Sequence, residues 1–235
     1  MNAATTNFLL FAVAPYVAIT LLLSVSLWRF FFSRYKFSSL SSEFLESRDL
    51  FWGSVPWHYG IMILFFGHLI GFLFPREVTV WNSMPVRLLI LEVTALAFGL
   101  LALVGLVLLI RRRLGHPRIR AVTSWMDVLV LGLLLVQVGT GLGTALTYRW
   151  GSSWYVAVLV PYLRSVFALS PRVELLANMP WLVKTHVIGA ITIVGILPFT
   201  RLVHFLVPPV SYLWRSYQVV IWNWDRRQIR EVKRP

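Results

Sequence analysis

Apolar residues in this chain neither alternate nor recur at helical spacing; they run almost without interruption. Five such stretches lie at about residues 8–32, 54–75, 86–110, 126–147 and 182–207. A helix needs ~20 apolar residues to cross the hydrocarbon core of a bilayer, and each stretch is long enough. Lipid offers no partner to backbone polar groups, so only helices and closed barrels span it. The pattern therefore predicts an all-α, five-transmembrane-helix bundle. Between the fourth and fifth stretches, residues 148–181 carry Trp150, Trp154, Tyr155 and Tyr162 together with Pro161 and Pro171. The apolar run from Tyr155 to Leu163 is too short to span, and this loop is expected at the interface as an aromatic cap. With no internal repeat, residues 1–207 read as one transmembrane domain and 208–235 as a basic and aromatic tail with Trp214, Trp222 and Trp224.

Composition agrees with a membrane solvent. Of 235 residues, 58% are hydrophobic and 13% charged, with mean hydropathy +0.73. The net charge of +13 would suit a nucleic-acid binder, but the basic residues gather at the ends of the apolar stretches, where lipid headgroups or partner subunits meet them. No nucleic acid is expected. Zero cysteines exclude disulfides, thiolate-held iron–sulfur clusters and covalent c-type haem attachment, so iron–sulfur chemistry must belong to a partner.

Basic residues also set the orientation. Arg29, Arg34, Lys36 and Arg48, the five in the Arg111 to Arg120 loop, and the seven from Arg201 onward make 16 of the 22 Lys and Arg. All 16 fall on one side of a five-span topology. The positive-inside rule places that side in the cytoplasm, with the N-terminus outside and the C-terminus inside a cell membrane. No Lys or Arg precedes the first stretch, which is the wrong polarity for a signal peptide.

Four of the five histidines lie within two of the apolar stretches, His58 and His68 in the second, His186 and His204 in the fifth. Ionisable groups at that depth are costly and usually functional. The two spans run antiparallel, so His58 and His204 share the cytoplasmic depth, and His68 and His186 the outer depth. An imidazole pair is what a buried haem iron takes as its two axial ligands. The expectation is two haems stacked between the second and fifth spans, His58 and His204 on the inner iron, His68 and His186 on the outer. For any single membrane histidine, a hydrogen-bonded packing role or a proton relay is the alternative. Zinc suits this spacing poorly, because imidazoles ten residues apart on one helix cannot both approach one ion at ~2.0–2.1 Å. His116, in the Arg-rich turn, reads as a surface residue.

The two histidine spacings are unequal. At ~1.5 Å per residue, the step from His58 to His68 rises about 15 Å and that from His186 to His204 about 27 Å, although level pairs need equal rises. Tilt, or a kink at Pro198, is expected to absorb the difference. Gly60, Gly67, Gly71 and Gly189 would let a porphyrin approach the backbone, or would serve bare helix packing. Two imidazoles leave no open coordination position, so such haems relay electrons rather than make bonds; a lipid-soluble quinol is the natural donor. Arg111, Arg112, Arg113 and Arg201 share the depth of the inner pair, where haem propionates would meet them. Glu92 in the third span is either a carboxyl bonded between helices or a group near a proton exit. Asp127, near the start of the fourth, is the other embedded acid.

The stretch WHYGIMILFFGHLIGFLFP, the loop RRRLGHPRIRAVTSWMDVLVL and the segment HVIGAITIVGILPFTRLVHFLVPPVSYLWRSYQVV resemble the gamma subunit, the cytochrome b-type membrane anchor, of respiratory nitrate reductase. The resemblance implies two b haems on these four histidines and quinol oxidation beside the outer one. It implies delivery of electrons to an iron–sulfur beta subunit on the cytoplasmic side, and from there to a molybdenum-containing alpha subunit that reduces nitrate. It also implies a quinol pocket formed by Gly67, beside His68, and a basic residue at the start of the third helix. The family has lysine there; this chain has Arg87. Two other readings stay open from the residues alone: a cytochrome b subunit of another quinone-linked oxidoreductase, for a different oxyanion or for sulfur compounds, and a haem-free transporter or anchor.

Overall fold

The computed structural model describes residues 2–32 and 45–206. Five helices are long and apolar enough to cross a membrane: α1 (Ala4–Phe32), α2 (Arg48–Leu73), α3 (Pro85–Gly115), α4 (Trp125–Thr147) and α5, whose span Trp181–Phe199 is α-helical over Trp181–Ile196. There is no strand among the described residues. The tail at 208–235, with Trp214, Trp222 and Trp224, lies outside them, as do Arg34 and Lys36.

Local chemistry sets the helix ends. Pro85 opens α3 at a position where its missing N–H is no loss. α4 opens on a capping box, in which the Asp127 backbone N–H donates to Ser124 Oγ (3.2 Å) and the Ser124 N–H donates to Asp127 Oδ2 (2.9 Å). α2 and α3 then pack with almost no side chain between them. A Cβ on Gly105 would strike the backbone N of Trp57, and one on Gly60 would sit 2.6 Å from the backbone N of Ala102. Small residues at such seams let dispersion replace the hydrophobic drive that lipid does not supply.

Neighbouring helices continue in a row: α2 packs on α3, α3 on α4, α4 on α5, and α5 on α1. No seam of that kind joins α2 directly to α5. α2, which bears His58 and His68, is held by α3, and α5, which bears His186, is held by α4 and α1.

The connection between α4 and α5 is more than an interfacial cap. It forms helices at Gly151–Trp154, Val160–Phe167 and Glu174–Ala177, with a π turn at Tyr155–Leu159. Leu159, Tyr162, Val166 and Leu176 pack with Phe11 of α1 and Val183 and Val187 of α5 into a buried cluster. The Tyr162 hydroxyl donates to Phe11 O (2.8 Å), and the Tyr16 hydroxyl of α1 donates to Val166 O (3.0 Å). At this depth each hydroxyl needs such a partner.

The fifth apolar stretch differs from the continuous helix expected over 182–207. α5 stops at Ile196, Leu197–Phe199 is a 3-10 turn, Thr200 is extended (φ −115°, ψ 172°), and Arg201–Phe205 is a second 3-10 turn. Pro198 cannot donate the backbone bond that would continue the helix, and its ring crowds the preceding turn. Thr200 restarts the chain, its Oγ1 accepting from the N–H of Leu202 (3.1 Å). The break accounts for the unequal rise. From His186 to the helix end at Ile196 the axis climbs ~15 Å, the same as from His58 to His68, and from there to His204 the chain is 3-10 turn and extended backbone, not α-helix.

Candidate functional site

The second and fifth stretches do bring one histidine pair together. The rings of His58 and His204 face each other with centroids 6.2 Å apart and planes at 59°. Imidazole nitrogens bond a metal at ~2.0–2.1 Å, which puts two rings on opposite sides of one ion at roughly this centre-to-centre distance. His58 Nδ1 donates to Ser54 O (2.8 Å), with Ser54 Oγ at 3.0 Å, and His204 Nδ1 donates to Arg201 O (2.8 Å). A carbonyl can only accept, so the proton sits on Nδ1 and the Nε2 lone pair is left for a ligand. Metal-bound histidines are oriented in this way.

The other pair follows the same rule with different neighbours. His68 Nδ1 donates to Leu64 O (2.7 Å). His186 Nδ1 donates to Gln137 O of α4 (3.0 Å), with Thr140 Oγ1 at 3.2 Å. Each of these rings has another partner: the Gln137 side-chain amide lies 3.3 Å from His186 Nε2, and the Tyr155 ring meets that of His68 edge-on at 5.3 Å. The Tyr155 hydroxyl also donates to His68 O (2.9 Å). His58, His68 and His204 are exposed. Histidines kept for packing would be buried, so four rings with satisfied Nδ1 atoms, three of them open, fit bis-imidazole ligation of a flat group. No cluster of three or more metal-ligating side chains occurs among the described residues.

The glycines divide. A Cβ on Gly60 would meet Ala102, one on Gly71 would come within 2.8 Å of the Tyr155 ring, and one on Gly189 would strike Gln137 Oε1, whereas Gly67 has nothing within 4 Å. Three of the four are filled by protein packing, and Gly67 alone opens onto free space beside His68. Arg87 stands over the Trp81 ring at 5.4 Å, while the Trp81 indole N–H donates to Arg87 O (3.2 Å). No hydrogen bond or ring contact joins Arg87 to Gly67 or His68 among the described residues.

At the opposite, basic end the arginines are largely engaged. Arg112, 4% exposed, donates through Nε to Glu46 Oε2 (2.6 Å) and through Nη2 to Glu46 O (2.6 Å). Arg113 reaches Asp127 Oδ2 (3.1 Å), and Arg201 reaches Asp127 Oδ1 (3.0 Å). Arg111 is exposed. Partial burial pushes the Glu46 carboxyl up, but hydrogen bonds from Arg112 and from the N–H groups of Asp49 and Leu50, with the guanidinium charge, hold it below its ordinary value. His116 pairs through Nε2 with Asp49 Oδ2 (2.9 Å), both well exposed. Glu92 is bonded between elements: its Oε1 accepts from the backbone N–H (2.9 Å) and hydroxyl (2.6 Å) of Ser152 in the loop. That is the first of the two roles open to it from the sequence.

Sequence reasoning did not find Ser54, Leu64, Gln137, Thr140 or Tyr155 as neighbours of the histidines. Ser54 and Leu64 stand four residues before His58 and His68, the spacing at which a helix brings a ring over a carbonyl. Gln137 and Thr140 sit on another helix, and no spacing announces them.

Residues 7–223 match the nitrate reductase gamma subunit family. The chain belongs to that family. Among related gamma subunits, the respiratory nitrate reductase 1 gamma chain of Escherichia coli is 32% identical over 219 residues, covering 91% of this chain and 96% of that protein. The nitrate reductase gamma chain of Bacillus subtilis is 32% identical over 216 residues, covering 90% and 96%. A nitrate reductase-like protein of Mycobacterium tuberculosis is 32% identical over 214 residues, but they make up 33% of its length. With five spanning helices, this gamma-family chain is a multi-pass membrane subunit of a nitrate reductase complex, and so a component of an oxidoreductase.

Proposed function

We propose that this chain oxidises quinol near the outer face of the cytoplasmic membrane and passes the electrons inward to an iron–sulfur beta subunit. That subunit feeds a molybdenum-containing alpha subunit, where nitrate is reduced. Two b haems are its cofactors, His58 with His204 holding the inner one and His68 with His186 the outer one. When bound, they supply one-electron carriers at two depths with no open coordination site. The observation that carries this reading is the facing of His58 and His204 at 6.2 Å with each Nδ1 donated to a backbone carbonyl.

The protein's own groups divide the remaining work. Backbone carbonyls of Ser54, Leu64, Gln137 and Arg201 fix the tautomer and direction of the four rings. Gly67 leaves room for a quinol head beside His68, and Arg87 is the cation assigned to that pocket. Of the four arginines assigned to the haem propionates at the inner side, Arg111 is exposed and best placed to serve, because Arg112 is held by Glu46 and both Arg113 and Arg201 by Asp127. With the N-terminus outside, moving electrons inward is electrogenic, and each charge crossing stores ~2.3 kcal/mol per 100 mV of membrane potential.

A reduced-minus-oxidised optical spectrum of the purified complex tests the reading. Two b-type components are expected, with His68→Ala losing the outer one and His204→Ala the inner one. A colourless complex, as a haem-free transporter or anchor would give, sinks it.

A further inference from the structure

We infer that Asp127 is a positioning residue for the inner pair, holding through Arg201 the short segment that presents His204 to His58; this rests on the haem reading above. His204 does not stand on a spanning helix. It stands on the five-residue 3-10 turn Arg201–Phe205, beyond the break in α5, and so short a turn needs fixing from outside. Phe205 lies against the Phe65 ring of α2 at 5.3 Å, but that apolar contact leaves the ring direction of His204 undetermined.

Asp127 supplies the missing constraint. It is 8% exposed in the first turn of α4, and its two oxygens have separate tasks. Oδ2 closes the capping box with the Ser124 N–H and takes Arg113 of α3 at 3.1 Å. Oδ1 is turned the other way, onto Nε of Arg201 at 3.0 Å. A helix cap needs one oxygen, so the second does nothing for α4 itself. Arg201 also donates from Nη2 to Val122 O (3.3 Å), and its own carbonyl accepts from His204 Nδ1 (2.8 Å). One residue therefore joins the carboxylate, through its side chain, to the imidazole, through its backbone. The chain Asp127–Arg201–His204 fixes both the place and the tautomer of the ligand. It does the work of the carboxylate that often sits directly on a metal-bound histidine.

The test uses the whole complex. Asp127→Asn cuts the link from α4; Arg201→Gln cuts it from the other side and leaves the capping box and the Arg113 pair intact. Haem-to-protein ratio, potentiometric titration of the haem band and the low-spin signal in electron paramagnetic resonance are read, the inner component being the one lost in His204→Ala. Both variants are expected to weaken inner-haem retention by about tenfold, the low end for loss of an outer-shell partner, and to shift its wave and signal while the outer component stays put. The double variant should lose no more than either single one, since both cut one path. An inner component unmoved in both variants overturns the inference, and so does loss of both haems together, which would make Asp127 a residue of the fold alone. If Asp127→Asn does not assemble, Arg201→Gln decides by the same results. A colourless wild-type complex overturns the haem reading and this inference with it, whereas a two-haem wild type with an unmoved inner component overturns this inference alone.

Discussion

Gly60 and Gly67 sit on one helix within seven residues of each other, and the structure predicts opposite outcomes for the same substitution. At Gly60 a new methyl group would lie 2.6 Å from the backbone N of Ala102, 2.7 Å from Phe98 O and 2.8 Å from the Ala102 Cβ. Two of those atoms are backbone, so α2 and α3 must separate. Overpacking of this kind costs about 1–3 kcal/mol. At Gly67 nothing lies within 4 Å, and replacing a helical glycine by alanine removes a backbone entropy cost worth roughly 0.5–1 kcal/mol. The two variants should thus differ by roughly 1.5–4 kcal/mol. At ~2–4 °C per kcal/mol for a chain of this size, Gly60→Ala should melt several degrees below the parent complex and Gly67→Ala at or above it, followed by tryptophan fluorescence in detergent. Activity should rank the other way. Gly67→Leu fills the space assigned to the quinol head, so KM for quinol should rise while nitrate reduction driven by a water-soluble one-electron donor to the partner subunits is unchanged. A Gly67→Ala complex that melts early, or a Gly67→Leu complex with unaltered quinol kinetics, refutes the reasoning.

Two further outcomes follow from single contacts. The Glu46 carboxyl titrates below its ordinary value of 4.5, so its bond to Arg112 contributes stability above that pH and loses it as pH falls through the lowered value; Glu46→Gln should be less stable than the parent at neutral pH, with the gap in melting temperature closing below pH 4.5. Glu92→Ala removes both bonds to Ser152, which should cost about 1–3 kcal/mol of stability and leave the pH profile of quinol oxidation unmoved; a displaced profile would point to proton transfer instead.

What the sequence made legible was whatever depends on length and hydropathy: the five spans, the loop too short to cross, and the depth-matching of His58 with His204. What it hid depends on backbone bonds between distant elements, such as Gln137 O on His186 or Ser152 on Glu92. The break in α5 lies between the two kinds. Pro198 announced a perturbation, and the unequal spacing of the histidines required one, but an apolar run to residue 207 gave no sign of where helix gives way. Had α5 run straight, His204 would stand about 12 Å beyond the level that His58 can meet. The structure over-determines the escape from that: Pro198 denies the helical bond, Thr200 caps the restart, and Asp127 holds Arg201. On the proposed ligation, Pro198→Ala alone should therefore keep the inner haem, since the other two fixings survive it. Pro198→Ala combined with Thr200→Ala, which adds the loss of a cap worth ~1 kcal/mol, should lower inner-haem occupancy while the outer haem, assigned to His68 and His186, is retained. Optical spectra of the two variants decide it. Loss of the inner component in Pro198→Ala alone would mean that the proline by itself sets the break.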